Sequence, residues 1–230
     1  HKRVREIKFI NDRLKKEEQQ ALLKFCVTFS KINMLRVLKD NGQLTKNSCI
    51  TKEMDEDHKT LIHYAAEYGH LNVLTFFKRS FKFTADDFRI EDGLYDKTPL
   101  ECAAGYNRMN VLRFLHDDVG LGVNDFRGAH CVAATLGYMD MLTFLKDDVG
   151  LSANDFRVGN NQAIRLAAKF GHVNVLQLLK DKVKLEINDF KTAILPASMY
   201  GHVNVLQFLK DKVKLKINDF RVNGRAIHYA

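Results

Sequence analysis

His130 and Cys131 are adjacent in the sequence, and a thiol beside an imidazole is the pair from which a cysteine nucleophile is built. Adjacency works against that use. Consecutive residues on a helix point about 100 degrees apart, and no third residue is placed to orient the base, so core packing is the expectation for both. His70, His172 and His202 share one register of a repeated pattern, which raises the idea of a metal ladder. Equivalent atoms on neighbouring helices lie roughly 10 Å apart, whereas zinc holds imidazole nitrogens at about 2 Å. These histidines are therefore expected to cap turns. Cys26, Cys49, Cys102 and Cys131 lack CxxC spacing and read as reduced thiols of a cytoplasmic compartment. No GxxxxGK[ST], HExxH, GxSxG, GxGxxG or EF-hand pattern occurs. Phosphate, zinc-protease, hydrolase and dinucleotide chemistry thus have no support, and no catalytic residue, metal or cofactor is expected.

The elements that would carry these residues are helical. The 230 residues are 46% hydrophobic and 28% charged with two prolines, enough apolar material for a core and too few breakers for a loop-rich fold. No run approaches the ~20 apolar residues of a membrane span. The formal net charge of +8 favours an acidic partner surface without naming one.

Two markers recur in step. Asn33-Met34-Leu35, Asn72-Val73-Leu74, Asn110-Val111-Leu112, Asp140-Met141-Leu142, Asn174-Val175-Leu176 and Asn204-Val205-Leu206 are offset by 39, 38, 30, 34 and 30 residues. Asp87-Phe88, Asp125-Phe126, Asp155-Phe156, Asp189-Phe190 and Asp219-Phe220 follow the same register at 38, 30, 34 and 30. Such periods mean stacked supersecondary units, each burying its apolar face against its neighbours. Each unit reads as two short helices: Ile164, Ala167 and Ala168 mark a first, and Val175, Leu176, Leu178 and Leu179 a second. Gly69, Gly137, Gly171 and Gly201, with Asn107 in one copy, occupy the turn between them, where a left-handed residue ends the first helix. Paired small residues such as Ala65-Ala66 and Ala167-Ala168 would let first helices approach closely.

Thr60-Leu61-Ile62-His63-Tyr64-Ala65-Ala66 followed by Gly69-His70-Leu71-Asn72-Val73-Leu74, and Thr98-Pro99-Leu100-Glu101-Cys102-Ala103-Ala104, resemble the ankyrin repeat. The resemblance implies an all-α ankyrin-repeat solenoid of stacked helix-turn-helix units. Residues 1–20 would form an N-terminal capping helix with Phe9, Ile10 and Leu14 inward, and residues 21–230 about six repeats plus the start of a seventh that continues further. His63 and His228 match the family's motif histidine, whose role there is a hydrogen bond joining repeats. The β-hairpin fingers are expected to be reduced, because only about four residues separate Phe190 from Ile194, and Asn188 or Asp189 is expected to cap the next helix directly. The segments 46–57 and 89–96 are expected to be loops. Pro196 is compatible with a helix only in its first turn.

Two constellations could bind. Phe29, Tyr68, Tyr106, Leu136, Phe170 and Tyr200 end successive first helices and would line the concave groove that the ankyrin family uses for partner proteins, with Glu67, Thr135, Lys169 and Met199 tuning specificity. Aromatic anchors give large contact area at low entropic cost. Lys182, Lys184, Lys212, Lys214 and Lys216 form a basic patch where earlier copies carry Asp or Gly; interleaved acids and the absence of aromatic stacking make it a solvated face rather than a nucleic-acid platform. The expected function is non-catalytic protein-protein interaction by a monomer. Degenerate, lysine-rich repeats also resemble the modules that intracellular bacterial pathogens secrete into the host cytosol, which would make the partner a host protein. The alternatives are a substrate-presenting region of an enzyme whose catalytic domain lies past residue 230, and a binder of nucleic acid or an anionic surface through the lysines.

Overall fold

The computed structural model describes residues 16–51, 58–222 and 225–226. Among them the fold is all-α, apart from a two-residue antiparallel bridge of Arg221–Val222 with Arg225–Ala226. The chain divides into two compact units, residues 1–121 and 122–230.

In the first unit, helix α1 (Lys16–Thr28) is followed by α2 (Ile32–Asp40) and the one-turn α3 (Lys46–Ile50). Then come α4 (Leu61–Glu67), α5 (Leu71–Phe81), α6 (Pro99–Gly105) and α7 (Met109–Asp117). The first helices α1, α4 and α6 pack side by side, and the second helices α2, α5 and α7 do likewise. The expected limit at residue 20 falls inside α1, which runs on to Thr28; Phe9, Ile10, Leu14 and His228 lie outside the described residues. The 46–57 segment is not all loop, since α3 opens it with a Thr45–Ser48 capping box.

The second unit repeats the plan with α8 (Val123–Phe126), α9 (Ala129–Leu136), α10 (Met139–Asp147), α11 (Ala153–Phe156), α12 (Val158–Lys169), α13 (Val173–Asp181), α14 (Ile194–Met199) and α15 (Val203–Asp211). Here α9, α12 and α14 are the neighbouring first helices, and α10, α13 and α15 the second. The longer step leaves a kink inside α12, where Gly159, Asn160 and Asn161 are all left-handed. Pro196 stands in the first turn of α14, as its missing N–H requires.

The turns between helices are Schellman motifs. His70 N–H donates to the Ala65 carbonyl at 2.8 Å and Gly69 N–H to Ala66 at 3.1 Å, with Gly69 at φ +75°. His172 N–H to Ala167 and His202 N–H to Ala197, both 2.8 Å, repeat this, and Ser30 and Asn107 take the left-handed place in the copies without glycine. The paired alanines Ala65, Ala66, Ala103, Ala104, Ala133, Ala134, Ala167 and Ala168 are fully buried.

The Asp-Phe marker forms a single short helical turn between copies. Phe88, Phe126, Phe156 and Phe190 are wholly buried. The aspartate does not cap the next helix, as the sequence reading had it; it closes its own turn from the third position. Asp87, Asp125, Asp155, Asp189 and Asp219 accept the backbone N–H of Thr84, Gly122, Ser152, Glu186 and Lys216 at 2.7, 2.9, 2.8, 2.8 and 2.8 Å. Four of them also take a cation from the preceding copy: Lys46 to Asp87 (2.7 Å), Arg127 to Asp155 (3.3 Å), Arg157 to Asp189 (3.0 Å) and Lys191 to Asp219 (2.9 Å). In the second unit that cation directly follows the preceding phenylalanine, so Asp-Phe-Arg/Lys is a self-linking motif between copies.

Candidate functional site

Tyr68, Tyr106, Phe170 and Tyr200 are the C-caps of their first helices, Leu136 is the last residue of α9 and Phe29 directly follows α1, each immediately before the left-handed residue. That position turns the side chain off the packed face, and the exposures agree closely. In the first unit Phe29, Tyr68 and Tyr106 are 57, 44 and 55% exposed, and in the second Leu136, Phe170 and Tyr200 are 45, 44 and 53%. About half of each side chain is covered and the rest faces solvent. Lys169 Nζ lies 5.3 Å from the Phe170 ring centroid and 4.9 Å from that of Tyr200, holding two successive rings by cation–π contact. Met199 is 71% exposed beside them. Lys169, Met199 and Tyr200, with Leu195, Pro196 and Arg165, line a groove of about 500 Å³. Leu195 and Phe25, also exposed, were not foreseen; Leu195 could have been, because it is an apolar residue where another copy carries His63.

Glu67 stands differently. Its carboxylate accepts Lys59 Nζ at 2.7 Å with both side chains mostly buried, and it is the first cause of a raised Tyr106 phenol pKa. Thr135 is occupied by the Cys131 carbonyl.

The register histidines join copies rather than capping their own turns. His70 Nε2 donates to the Thr28 carbonyl at 2.7 Å, His172 to Thr135 at 2.9 Å and His202 to Lys169 at 2.7 Å. Arg108 does the same to Glu67 at 2.7 Å. His63 bonds Thr60 through Nδ1 at 2.7 Å and the Lys97 carbonyl of the following copy through Nε2 at 2.8 Å. Among the described residues no cluster of three His, Cys, Asp or Glu could hold a metal ion.

His130 and Cys131 do meet, contrary to the angular argument: Sγ lies 3.3 Å from Nε2. The imidazole bends back so that Nδ1–H donates to the Arg127 carbonyl, which leaves Nε2 as acceptor of the thiol proton. Burial pushes the Cys131 thiol up to about 11 and lowers the His130 pKa. The pair therefore holds its proton on sulfur, the wrong state for a nucleophile. Cys26 and Cys102 are likewise raised by burial, to about 11 and about 12.

The basic patch is partly neutralised. Lys182 pairs with Asp147 of the preceding copy, while Lys184, Lys212, Lys214 and Lys216 are exposed. Lys184 and Lys214 hold left-handed backbones at φ +64° and +67°, where Gly120 and Gly150 stand in earlier copies.

No family model and no curated protein sequence matches the chain.

The buried imidazoles set the acid side of stability. Desolvation lowers the pKa of His63 and His130 below the ordinary 6.5, so the folded state refuses protons that the unfolded chain takes up. Their contribution is complete above about pH 6.5 and is lost as pH falls from there toward the folded values. A second loss follows below about pH 4, where Asp155, held low mainly by Ser152 and then Arg127, must protonate. Asp87 and Asp92 join it, their burial being outweighed by hydrogen bonds to the ionised form. Urea midpoints followed from about pH 8 to about pH 3, a range that brackets these groups, should show both steps, and the double variant His63→Gln/His130→Gln should flatten the first. An unchanged first step in that variant would assign it elsewhere.

Proposed function

We propose that the chain is an ankyrin-type repeat array whose exposed C-cap aromatics hold a partner protein, with no catalytic role for the described residues. The observation that carries this reading is the uniform half-exposure of six equivalent large apolar side chains, 44 to 57%. A core residue would be covered and a solvated surface position would be polar; large apolar side chains half-exposed at the ends of helices are the composition of binding anchors. Phe170, Tyr200, Met199 and Lys169 give the second unit an apolar surface with a cation at its centre, suited to a partner that presents both apolar and acidic groups. The Ala pairs and joining histidines supply the rigidity, which lowers the ordering cost on binding.

The test is affinity capture from lysate with the native chain beside a variant carrying Tyr68→Ala, Tyr106→Ala, Phe170→Ala and Tyr200→Ala, after circular dichroism shows equal helicity. A captured protein should bind the variant about a hundredfold more weakly or worse. Equal capture by both, or capture by neither, would overturn the reading.

A further inference from the structure

The second helices of the first unit carry a different surface, remote in type from the C-cap rings. A groove of about 920 Å³ runs between α2 and α5. Its floor is apolar, from Ile32 on α2 and Leu71 and Phe76 on α5, all half-buried. Arg36 and Lys39 stand on one wall and Arg79 on the other, with Asp40 as the one carboxylate in the lining. Among the described residues none of these three cations makes an ion pair.

Two departures from the chain's own repeat converge on this groove. At the helix position of Arg79 the other five copies carry Asp40, Asp117, Asp147, Asp181 and Asp211, so the charge is reversed in this copy alone. At the position of Phe76, the residues Phe114, Phe144, Leu178 and Phe208 are buried, whereas Phe76 is partly open to the groove and Val37, its counterpart on α2, is likewise only partly buried. Repeat packing does not explain the charge reversal, since the other five copies stack with aspartate there, and the open position is confined to the two helices that form the groove. An apolar floor with unpaired cations on both walls is complementary to an elongated ligand with apolar side chains on one face and carboxylates along its edges. A lone phosphate would instead need cations converging on one point.

We propose that the groove between α2 and α5 is a docking site for an acidic amphipathic segment of a partner protein, its apolar side chains on Ile32, Leu71 and Phe76 and its carboxylates on Arg36, Lys39 and Arg79.

The probe is a fluorescein-labelled helical peptide with Leu at i, i+3, i+4 and i+7 and Glu elsewhere, with a matched peptide carrying Lys for Glu, titrated against the full chain by anisotropy. The Glu peptide should bind in the micromolar range and weaken with salt. Arg79→Asp, which installs the residue of the other copies, and Arg36→Glu should each weaken binding about tenfold or more. The four-alanine C-cap variant should bind the peptide unchanged, which separates failure of this site from failure of the C-cap surface. Absence of binding, equal binding by Arg79→Asp, or equal binding of the Lys peptide would overturn the proposal. So would phosphatidylserine vesicles that bind the native chain and not Arg79→Asp while the Glu peptide binds neither, which would assign the groove to a membrane surface. Circular dichroism of each variant guards against loss of fold.

Discussion

Replacing Phe156 by alanine is expected to remove about 3–5 kcal/mol of folding free energy. The ring is wholly buried and meets the His130 imidazole edge-on, centroids 5.4 Å apart at 68°. It comes from α11, a helix of four residues too short to persist without the tertiary contact it anchors. Deleting the ring therefore removes apolar burial and, with it, the reason for Asp155 to remain beside Arg127. Domains of this size are stable by about 5–15 kcal/mol, so the variant should melt early, with partial unfolding under mild urea. Phe156→Leu, which keeps most of the volume, should cost less than about 1.5 kcal/mol. Urea denaturation followed by circular dichroism measures both. A cost below about 1 kcal/mol for the alanine variant would mean that the Asp-Phe turns are ornaments on the helix pairs, and this account of the motif would be wrong.

Gly171→Ala and Gly201→Ala should differ although their backbones match. The two residues have φ of +76° and +71°, so each alanine suffers the left-handed penalty of about 1–2 kcal/mol. A Cβ on Gly201 meets nothing within 4 Å, but one on Gly171 lies 2.8 Å from Nδ1 and 3.0 Å from Cε1 of His202. That ring cannot simply withdraw, because its Nε2 donates to the Lys169 carbonyl at 2.7 Å. Pushing it aside breaks the bond between copies and leaves a carbonyl unpaired, a further ~1–3 kcal/mol. The expected order is thus Gly171→Ala well below Gly201→Ala in thermal midpoint. In a His202→Ala background the gap should close, and a gap that persists would show that the histidine clamp is not its source.

The sequence alone determined the helical class, the repeat register and the turn chemistry. Gly69, Gly137, Gly171, Gly201 and Asn107 were legible as left-handed because a helix end selects those residues from local backbone sterics. Ala65-Ala66 and Ala167-Ala168 were legible as close contacts because only small side chains recur at that spacing. The tertiary structure alone decided which neighbour each side chain meets. Nothing local says that Asp189 closes its own turn and also receives Arg157, a residue 32 positions away, or that His202 reaches back to Lys169. His130 and Cys131 touch because a buried imidazole bends to satisfy Nδ1 on the Arg127 carbonyl, against the helical angle that separates their Cβ atoms. Exposure was hidden for the same reason. Tyr200 and Phe208 are both aromatic, yet one is 53% open and the other 5%, since burial depends on which surface an adjacent helix pair covers, and that pair is written some thirty residues away.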